Sequence, residues 1–269
     1  QEILPELLEY KPGIIEGNAS YLRLLAENLK EKGIQDIRPR ALISRGEVLD
    51  EPTREYLESS LGCDVFNDYG AYEVGNMAWE CEKREGLHIT SDFMILETVR
   101  NGDVLGPNEQ GEIVATGLIN YAMPMIRYRV GDIGILSEEQ CSCGRGFPLV
   151  RSIEGRIVDF LALPDEKVVS PRSIATVVQA TPGVSRYQVV QESMNKIVIE
   201  LMRRGAYPNV SIDLLKANCH RVLGNDVEIE VFVSDRKGLK AKFRPVISKL
   251  TVSNEPRWTK PRADVQNAV

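Results

Sequence analysis

The sequence predicts an α/β protein in which a parallel sheet and a small antiparallel β subdomain are followed by a small, separate α+β domain. Three observations support this fold class. Short apolar runs alternate with amphipathic segments up to residue 66, short β-rich segments separated by turn sequences occupy residues 87–137, and helices and strands mix again beyond residue 155. Strands and helices that alternate at this spacing favour right-handed crossovers in a parallel sheet.

The first part is expected to have the pattern strand, helix, strand, helix, strand. The clearest helix begins at Asn18, which is a favourable N-cap, and ends at Gly33. Its apolar face is predicted to consist of Tyr21, Leu24, Leu25 and Leu29. The other predicted elements are a helix at 3–8, strands at 13–16, 40–43 and 63–66, and a helix at 52–61.

The β-rich part contains the turn sequences 101–103 and 107–111, and we expect a small barrel or curled sheet there. Beyond it, a hairpin near Pro164 is followed by helices and strands in an order that fits a ferredoxin-like α+β unit. The expected organisation is a large domain at 1–154, a small mobile domain at 155–252 and a polar tail at 253–269.

Composition restricts the class of partner. The chain has 269 residues, 27% of them charged, and a net charge of -6, so an acidic globular protein without a nucleic-acid or membrane surface is expected. Five scattered cysteines favour a reduced, cytoplasmic protein whose thiols are available for metal. Because the chain opens with Gln1 directly in helix-like sequence, we expect a piece of a longer polypeptide.

Residues 67–73 combine Tyr69, Gly70 and Glu73 directly after the apolar run 63–66. We predict a loop at the carboxyl end of a buried strand, where α/β folds place their ligands. Such a loop could stack an aromatic ring on a base, let a ligand approach the glycine backbone, and hold Mg²⁺ with a carboxylate. The alternative is an ordinary turn between strands, and this stretch alone leaves both interpretations open.

A second dense stretch, residues 123–132, ends in Gly131 and Asp132. A carboxylate in this context can accept hydrogen bonds from the paired hydroxyls of a ribose. It can equally cap the backbone amides of a turn. The ribose interpretation becomes preferable only when this stretch is combined with Gly46, Tyr69 and Arg156.

The order of these motifs resembles the adenylate-forming superfamily of acyl and aryl acid ligases. The similarity is greatest to the branch of phenylacetate-CoA ligase, coenzyme F390 synthetase and CapK-like proteins, and it covers nearly the whole chain up to about residue 250. It is carried by the segments 46–47, 69–73, 111–114, 127–132 and 155–159, together with the cysteine-bearing segment 141–145.

The resemblance implies a nucleotide site in which residues 44–47 line the adenine pocket and Tyr69 stacks on the base. It further implies that Glu73 is the Mg²⁺ ligand and that Asp132 binds ribose. The nucleotide-binding residues it implies are Ser44, Gly46, Glu47, Asp68, Tyr69, Gly70, Asp132 and Arg156.

The implied reaction is attack of a carboxylate on the α-phosphate of ATP, which releases pyrophosphate and gives an acyl adenylate that CoA then captures. Mg²⁺ and a mobile lysine would stabilise the negative charge on phosphorus. Lys242 best matches that lysine, with Lys260 in reserve. The partner is then a small-molecule acid whose identity the sequence does not specify, and a homodimer is left open.

Three departures from the family pattern leave alternatives open. Tyr72 replaces the usual Ser or Thr, Val158 occupies the usual hinge position with Asp159 following, and the chain contains no Ser/Thr/Gly-rich phosphate loop. We therefore expect a C-terminal portion of a ligase that is inactive alone. The alternatives are adenylyl transfer to a cofactor, as in F390 synthetase, and a nucleotide-binding module without catalysis.

Four metal-ligating residues flank the β-rich part. Cys81, His88, Cys141 and Cys143 provide three thiols and an imidazole, a donor set that suits tetrahedral Zn²⁺. Four protein ligands leave no open position, so the predicted site is structural. The alternative is that these are unrelated loop residues.

Overall fold

The computed structural model describes residues 3–165, 167–184, 186–202, 210–234 and 244–250. The helices are α1 (Ile3–Tyr10), α2 (Ala19–Glu31), α3 (Glu51–Leu61), α4 (Pro171–Gln179) and α5 (Ile212–Leu223), with a 3₁₀ helix at Ile157–Asp159. The first strands are β1 (Ile14–Gly17), β2 (Ala41–Arg45), β3 (Asp64–Ala71), β4 (Gly75–Glu80), β5 (Leu87–Ile89), β6 (Met94–Arg100), β7 (Asp103–Val104) and β8 (Gln110–Gly117). The remaining strands are β9 (Tyr128–Ser137), β10 (Leu149–Arg156), β11 (Leu161–Ala162), β12 (Val168–Val169), β13 (Tyr187–Ser193), β14 (Lys196–Met202), β15 (Glu228–Ser234) and β16 (Val246–Ser248).

The predicted parallel and antiparallel parts are both present, and they share one sheet. The described strands of the first part form a ten-stranded sheet in the order β1-β2-β3-β4-β5-β10-β9-β8-β6-β7. Strands β1, β2 and β3 are parallel, whereas β3 pairs with β4 in the antiparallel sense. β3 therefore joins the two halves by backbone hydrogen bonds.

The parallel half is covered on one face by α2 and α3. Leu22 and Ala26 of α2 pack with Leu57 of α3 against Leu42 and Val65 of the sheet. The prediction for the apolar face of α2 is wrong in part, because its fully buried residues are Ala19, Leu22, Ala26 and Leu29, whereas Tyr21 is exposed. The actual face lies one residue away from the predicted one, where small Ala side chains allow close approach to the sheet.

Asn18 occupies the N-cap position of α2, as predicted, but its side chain makes no capping hydrogen bond. The carboxylate of Glu47 replaces it, since Glu47 Oε2 accepts a 3.0 Å hydrogen bond from the backbone N–H of Ser20. An acidic group at a helix N-terminus is stabilised by the helix dipole. The loop after β2 is thereby attached to the start of α2.

Residues 67–71 are not a loop, which corrects the sequence expectation. β3 continues through Ala71, and only residues 72–74 form the turn into β4. The antiparallel pairing of β3 with β4, in which Tyr69 faces Ala78, provides backbone partners that local sequence does not reveal. The predicted site residues Asp68, Tyr69 and Gly70 therefore lie on a strand.

The last part contains a four-stranded sheet in the order β15-β14-β13-β16, and β11 and β12 form the predicted hairpin as a separate two-stranded sheet. Buried residues of α4 and α5, including Ile174 and Leu215, pack with Ile197 and Ile199 of β14. Arg186, just before β13, lies 3.7 Å from Glu27 of α2. In the described part of the chain, no helix is long and apolar enough to cross a membrane.

Candidate functional site

The carboxyl ends of the parallel strands bring together the first group of predicted site residues. Ser44 at the end of β2 pairs in register with Gly17 of β1 and Asn67 of β3. Its side chain is fully buried, and within the described residues its hydroxyl has no hydrogen-bond partner. The sequence analysis did not assign Arg45, whose guanidinium lies 2.9 Å from Glu16 and contacts Asp68.

Asp68 is buried and already engaged by protein donors. It accepts a 2.9 Å hydrogen bond from Arg45 Nε and a further one from the side chain of Asn76 on β4. The same contact with Asp68 raises the pKa of Arg45, opposed by desolvation. Glu16, Arg45, Asp68 and Asn76 thus link β1 to β4 across the strand ends. The Asp68 side chain therefore connects β3 to both neighbouring strands, β2 and β4, beside the predicted adenine pocket.

Gly46 and Glu47 form the loop after β2. Gly46 has a φ of +77°, and a Cβ at this position would lie 3.1 Å from Nδ2 of Asn18. Glu47 places one carboxylate oxygen on the N-terminus of α2, whereas the other oxygen is buried without a hydrogen-bond partner among the described residues. Glu47 therefore fixes the position of the loop that carries Gly46.

Tyr69, Asp132 and Arg156 are brought together from three strands. Tyr69 Oη donates a 2.9 Å hydrogen bond to Asp132 Oδ2, and Arg156 Nε lies 4.0 Å from Asp132 Oδ1. Burial and the neighbouring Asp132 carboxylate raise the pKa of Tyr69 well above its usual value, so its hydroxyl remains protonated and donates. The sequence predicted these residues as separate contacts, and the structure joins them into one cluster.

Glu73 lies in the exposed β3–β4 turn at the same end of the sheet. Partial desolvation and the Glu73 carboxylate raise the pKa of Tyr128, which places the start of β9 beside the turn. Tyr72 is fully exposed, so its ring packs on no described residue. Gly70 permits the tight pairing that forms the turn, because a Cβ there would lie 2.6 Å from the carbonyl oxygen of Gly75.

The 3₁₀ helix after β10 contains Asp159, which is buried and paired with Arg244 through a 3.2 Å hydrogen bond from Nε and a second guanidinium contact. Burial and the nearby Arg156 lower the pKa of Arg244. Arg244, the first residue of the described segment 244–250, therefore lies near Arg156 of the Tyr69 cluster. The predicted lysine Lys242 and its reserve Lys260 lie outside the described residues.

The four predicted metal ligands converge. Cys81 follows β4, His88 lies on β5, and Cys141 and Cys143 lie in the connection between β9 and β10. Their ligating atoms all lie within 4.8 Å of one another. Cys81 Sγ lies 3.5 Å from Cys141 Sγ, and Cys143 Sγ lies 3.3 Å from His88 Nε2. Ligands about 2.3 Å from a tetrahedral Zn²⁺ would be separated by roughly 3.8 Å, so this geometry accommodates the ion.

The surroundings of this cluster also suit a metal site. The backbone N–H of Lys83 points to Cys81 Sγ at 3.4 Å, and Glu85 accepts two 2.7 Å hydrogen bonds from the backbone and hydroxyl of Ser142. The Trp79 ring lies 4.8 Å from the His88 ring, centroid to centroid. Trp79 and Glu85 were not assigned to the metal site from the sequence, because no local pattern places them beside the ligands.

The proton affinities of the cluster are uneven. Burial lowers the pKa of His88, so the imidazole is neutral near pH 7 and can ligate. The pKa of Cys143 is lowered by the backbone and guanidinium of Arg145 against the opposing effect of burial. The pKa of Cys141 rises to about 12; the backbone of Cys143 opposes this rise, and burial and the neighbouring thiols cause it. Metal binding at this cluster would therefore displace protons.

Comparisons with known proteins identify the relatives of the chain. Residues 161–249 match the sequence family described as the CapK C-terminal domain. The chain is 32% identical over 190 residues to phenylacetate-coenzyme A ligase of Thermus thermophilus, covering 68% of this chain and 42% of that protein. It is 22% identical over 203 residues to protein CapK of Staphylococcus aureus, covering 74% of this chain and 44% of that protein.

The fold also matches a solved structure, 2-hydroxyisobutyryl-CoA ligase in the postadenylation state in complex with R3-HIB-AMP. The TM-score is 0.77 at 21% identity, with 92% of this chain and 57% of that chain covered. The fold is that of the adenylate-forming superfamily, and the chain belongs to the phenylacetate-CoA ligase family. The resemblance to the phenylacetate-CoA ligase and CapK branch of that superfamily is confirmed. The chain spans less than half the length of these two curated relatives.

Proposed function

We propose that this chain is part of an AMP-forming acid–CoA ligase, which activates a small carboxylic acid as its adenylate and transfers the acyl group to CoA. The observation that carries the proposal is the cluster of Tyr69, Asp132 and Arg156 at one end of the sheet. The named relatives support it, since four of the matched proteins are phenylacetate-CoA ligases. A cytoplasmic location is part of this proposal.

The proposed roles follow from the chemistry of each group. Tyr69 presents its ring to adenine, and Asp132 accepts hydrogen bonds from the ribose hydroxyls. Arg156, whose side chain is more than half exposed, contacts the nucleotide from the end of β10. Glu73 is exposed in the turn and offers a carboxylate to Mg²⁺, which neutralises charge on the phosphates. Lys242 remains the proposed mobile lysine.

The adenine end is proposed to be shaped by Ser44, Gly46, Glu47, Asp68 and Gly70. Of these, Ser44 offers a buried hydroxyl that no described residue engages in a hydrogen bond. Glu47 and Asp68 are proposed to position the site rather than to contact the nucleotide. The Glu47 carboxylate binds the N-terminus of α2, and the Asp68 carboxylate binds Arg45. Substitution of Asp68 is therefore expected to disturb nucleotide binding by displacing β2 and β3 rather than by removing a direct contact.

The test is acid-dependent exchange of labelled pyrophosphate into ATP, measured with the natural gene product that contains this sequence and a panel of aryl and acyl acids. Exchange that occurs only when an acid is present, and that is lost in a Tyr69→Ala variant, supports the proposal. Adenylylation of a phosphate-bearing cofactor without any acid would favour the F390-synthetase type of reaction. Tight AMP binding without turnover under all conditions would favour a nucleotide-binding module.

We also propose that Cys81, His88, Cys141 and Cys143 bind one structural Zn²⁺. The convergence of three sulfurs and one imidazole nitrogen supports this assignment, and four protein ligands leave no position for a substrate. Metal content measured by mass spectrometry should give about one zinc per chain. Cys81→Ser should abolish it, and Cys63→Ser, which changes a thiol outside the cluster, should not; equal zinc content in both variants would contradict the assignment.

A further inference from the structure

The Cys/His cluster lies at one end of β9 and β10, and Arg156 lies at the other end of β10, opposite Asp132. Asp132 lies in the middle of β9, which ends at Ser137 before the connection that carries Cys141 and Cys143. β10 returns from that connection and ends at Arg156, and a strand of its length extends roughly 25 Å. On β4, Ala78 is the register partner of Tyr69, and Cys81 directly follows the strand. Four protein ligands would fill the tetrahedral coordination of a metal at the cluster, which leaves no position for a residue of the nucleotide site.

The register between β9 and β10 is not set by a tight turn. Their connection, residues 138–148, is far longer than the two-residue loops that fix hairpin register. The pairing also contains two shifts, one between Val150 and Ser152 and one between Ile153 and Gly155. Each shift leaves a residue unpaired and locally disrupts the ladder. Pairing of β9 with β8 and of β10 with β5 constrains the outer edges of the hairpin, and a bound ion would add a constraint at the connection itself.

The register decides whether Asp132 meets Arg156. These two residues are direct partners across the β9–β10 ladder. Because side chains alternate between the faces of a strand, a slip by one residue would turn Arg156 to the opposite face. The hydrogen bond from Tyr69 to Asp132 would then remain, but the contact between Asp132 and Arg156 would be lost. The geometry of the nucleotide site therefore depends on the far end of the hairpin.

The four cluster residues hold that far end from both sides. Cys141 and Cys143 lie in the β9–β10 connection, and His88 lies on β5, where it is the register partner of Leu149 at the start of β10. Cys81 follows β4, which pairs with β5. One ion bound by all four would fix the connection against β4 and β5.

We propose that the metal at this cluster is a remote register clamp, which holds the β9–β10 hairpin so that Asp132 and Arg156 face each other at the nucleotide site. The inference rests on the proposed zinc site and on no assumption about the acid substrate. Cys81, His88, Cys141 and Cys143 are thereby positioning residues for the nucleotide site.

The test is amide hydrogen exchange of the native chain with zinc bound, after removal of zinc by a chelator, and after zinc is restored. Removal should speed exchange by at least about tenfold at residues 132–135 and 152–156, and restoration should reverse the change. Exchange in β13 and β14 of the small domain should stay constant. A change confined to residues 81–88 and 138–148 would overturn the proposal, as would a native chain that contains no zinc.

Variants separate clamping from a general loss of stability. Cys81→Ser should reproduce the metal-free exchange pattern, whereas His88→Cys, which keeps four donors, should retain zinc and the protected pattern. Ile197→Ala, in the core of the small domain, should lower the melting temperature without speeding exchange at residues 132–135. If Ile197→Ala speeds exchange there as much as Cys81→Ser does, the coupling is unspecific and the proposal fails.

A calorimetric titration with AMP distinguishes this proposal from the proposed ligase function. If zinc removal speeds exchange at the site and weakens AMP binding about tenfold, both proposals stand. If exchange responds but AMP binds neither form, the clamp stands and the nucleotide site falls. If AMP binds both forms equally, the clamp is overturned and the nucleotide site stands.

Discussion

Tyr69 Oη donates a hydrogen bond to Asp132 Oδ2 although β3 and β9 are not neighbours in the sheet. Three strands, β4, β5 and β10, lie between them in the hydrogen-bonded order. In a flat sheet this separation would be roughly 19 Å, at about 4.8 Å between adjacent strands. The sheet is therefore strongly curled between β3 and β9, and curling brings the Tyr69 and Asp132 side chains together.

Tyr69→Phe and Tyr69→Ala should have different effects. Loss of the hydroxyl in the first removes one hydrogen bond to a charged acceptor, which should lower the free energy of unfolding by about 1.5–3 kcal/mol in urea titrations. Loss of the ring should additionally weaken AMP binding by about 1–3 kcal/mol, because the base has no stacking partner. If Tyr69→Phe weakens AMP binding as much as Tyr69→Ala, the predicted stacking is wrong.

Arg54→Met should be one of the most destabilising single substitutions in the parallel half. Arg54 makes 2.8 and 3.0 Å contacts with the carboxylate of Glu80, and both side chains are less than a tenth exposed. Removing one member of a buried pair leaves an uncompensated charge, so we expect a loss of about 3–5 kcal/mol in the free energy of unfolding. Chemical denaturation provides the measurement.

A matched control for Arg54 is Lys196→Met, which breaks the partly exposed 2.6 Å pair with Glu230 on the small sheet. Solvent screens that pair, so its loss should cost less than about 1 kcal/mol. Similar losses for the two variants would show that burial of the Arg54–Glu80 pair does not increase its contribution to stability.

Because Glu80 also accepts a 3.0 Å hydrogen bond from the backbone of Asn67, Arg54→Met should disturb the strand that carries Tyr69.

Gly70→Ala should disrupt the β3–β4 turn. The new methyl group would lie 2.6 Å from the carbonyl oxygen of Gly75, so the two strands must separate locally. We expect a loss of about 1–3 kcal/mol of stability, typical of overpacking, together with weaker AMP binding. Gly117→Ala is the control, since its nearest contact would be 3.9 Å away. Unchanged AMP affinity in the Gly70 variant would separate the turn from the nucleotide site.

Cys219 should make stability depend on pH in the alkaline range. Burial on α5 raises the pKa of its thiol to about 12, above its ordinary value of 9.0. The unfolded chain loses this proton first, so the stabilisation is fully present below pH 9 and declines as pH rises towards 12. One group contributes a slope of up to about 1.4 kcal/mol per pH unit.

Cys219→Ala tests this assignment by comparison with the wild type. The free energies of unfolding, measured in urea at several pH values between 9 and 12, should fall less steeply in the variant. A constant difference between the two proteins at all these pH values would mean that the thiol does not titrate on unfolding. The buried tyrosines are common to both proteins, so their contribution cancels in the comparison.

Helices and strands with regular periodicity were predictable, whereas elements held by distant partners were not. α3 and α5 carry side-chain caps, Asp50 and Ser211, of residue types that the sequence shows directly. β10 was missed because its two register shifts break the alternation that identifies a strand. β16 was missed because it is a short strand that pairs with β13, far away in sequence.

The membership of the candidate site stays a prediction, and its geometry was not predictable from the sequence. The order of motifs selected Tyr69, Asp132 and Arg156, but nothing local indicates that the tyrosine hydroxyl would bind the aspartate. Asp68 was selected as a nucleotide contact, yet its engagement by Arg45 depends on the parallel register of β2 and β3. Side-chain partners across strands follow from tertiary structure, which local sequence does not record.

The connection at 138–148 carries two of the four cluster residues and joins two strands whose ladder is interrupted twice. If a metal ion held by the four cluster residues, rather than the turn, determines how these strands align, the rest of that connection is free to change in length. Homologues that keep all four ligands should then tolerate insertions and deletions there. Homologues that have lost the ligands should instead show a short connection of fixed length.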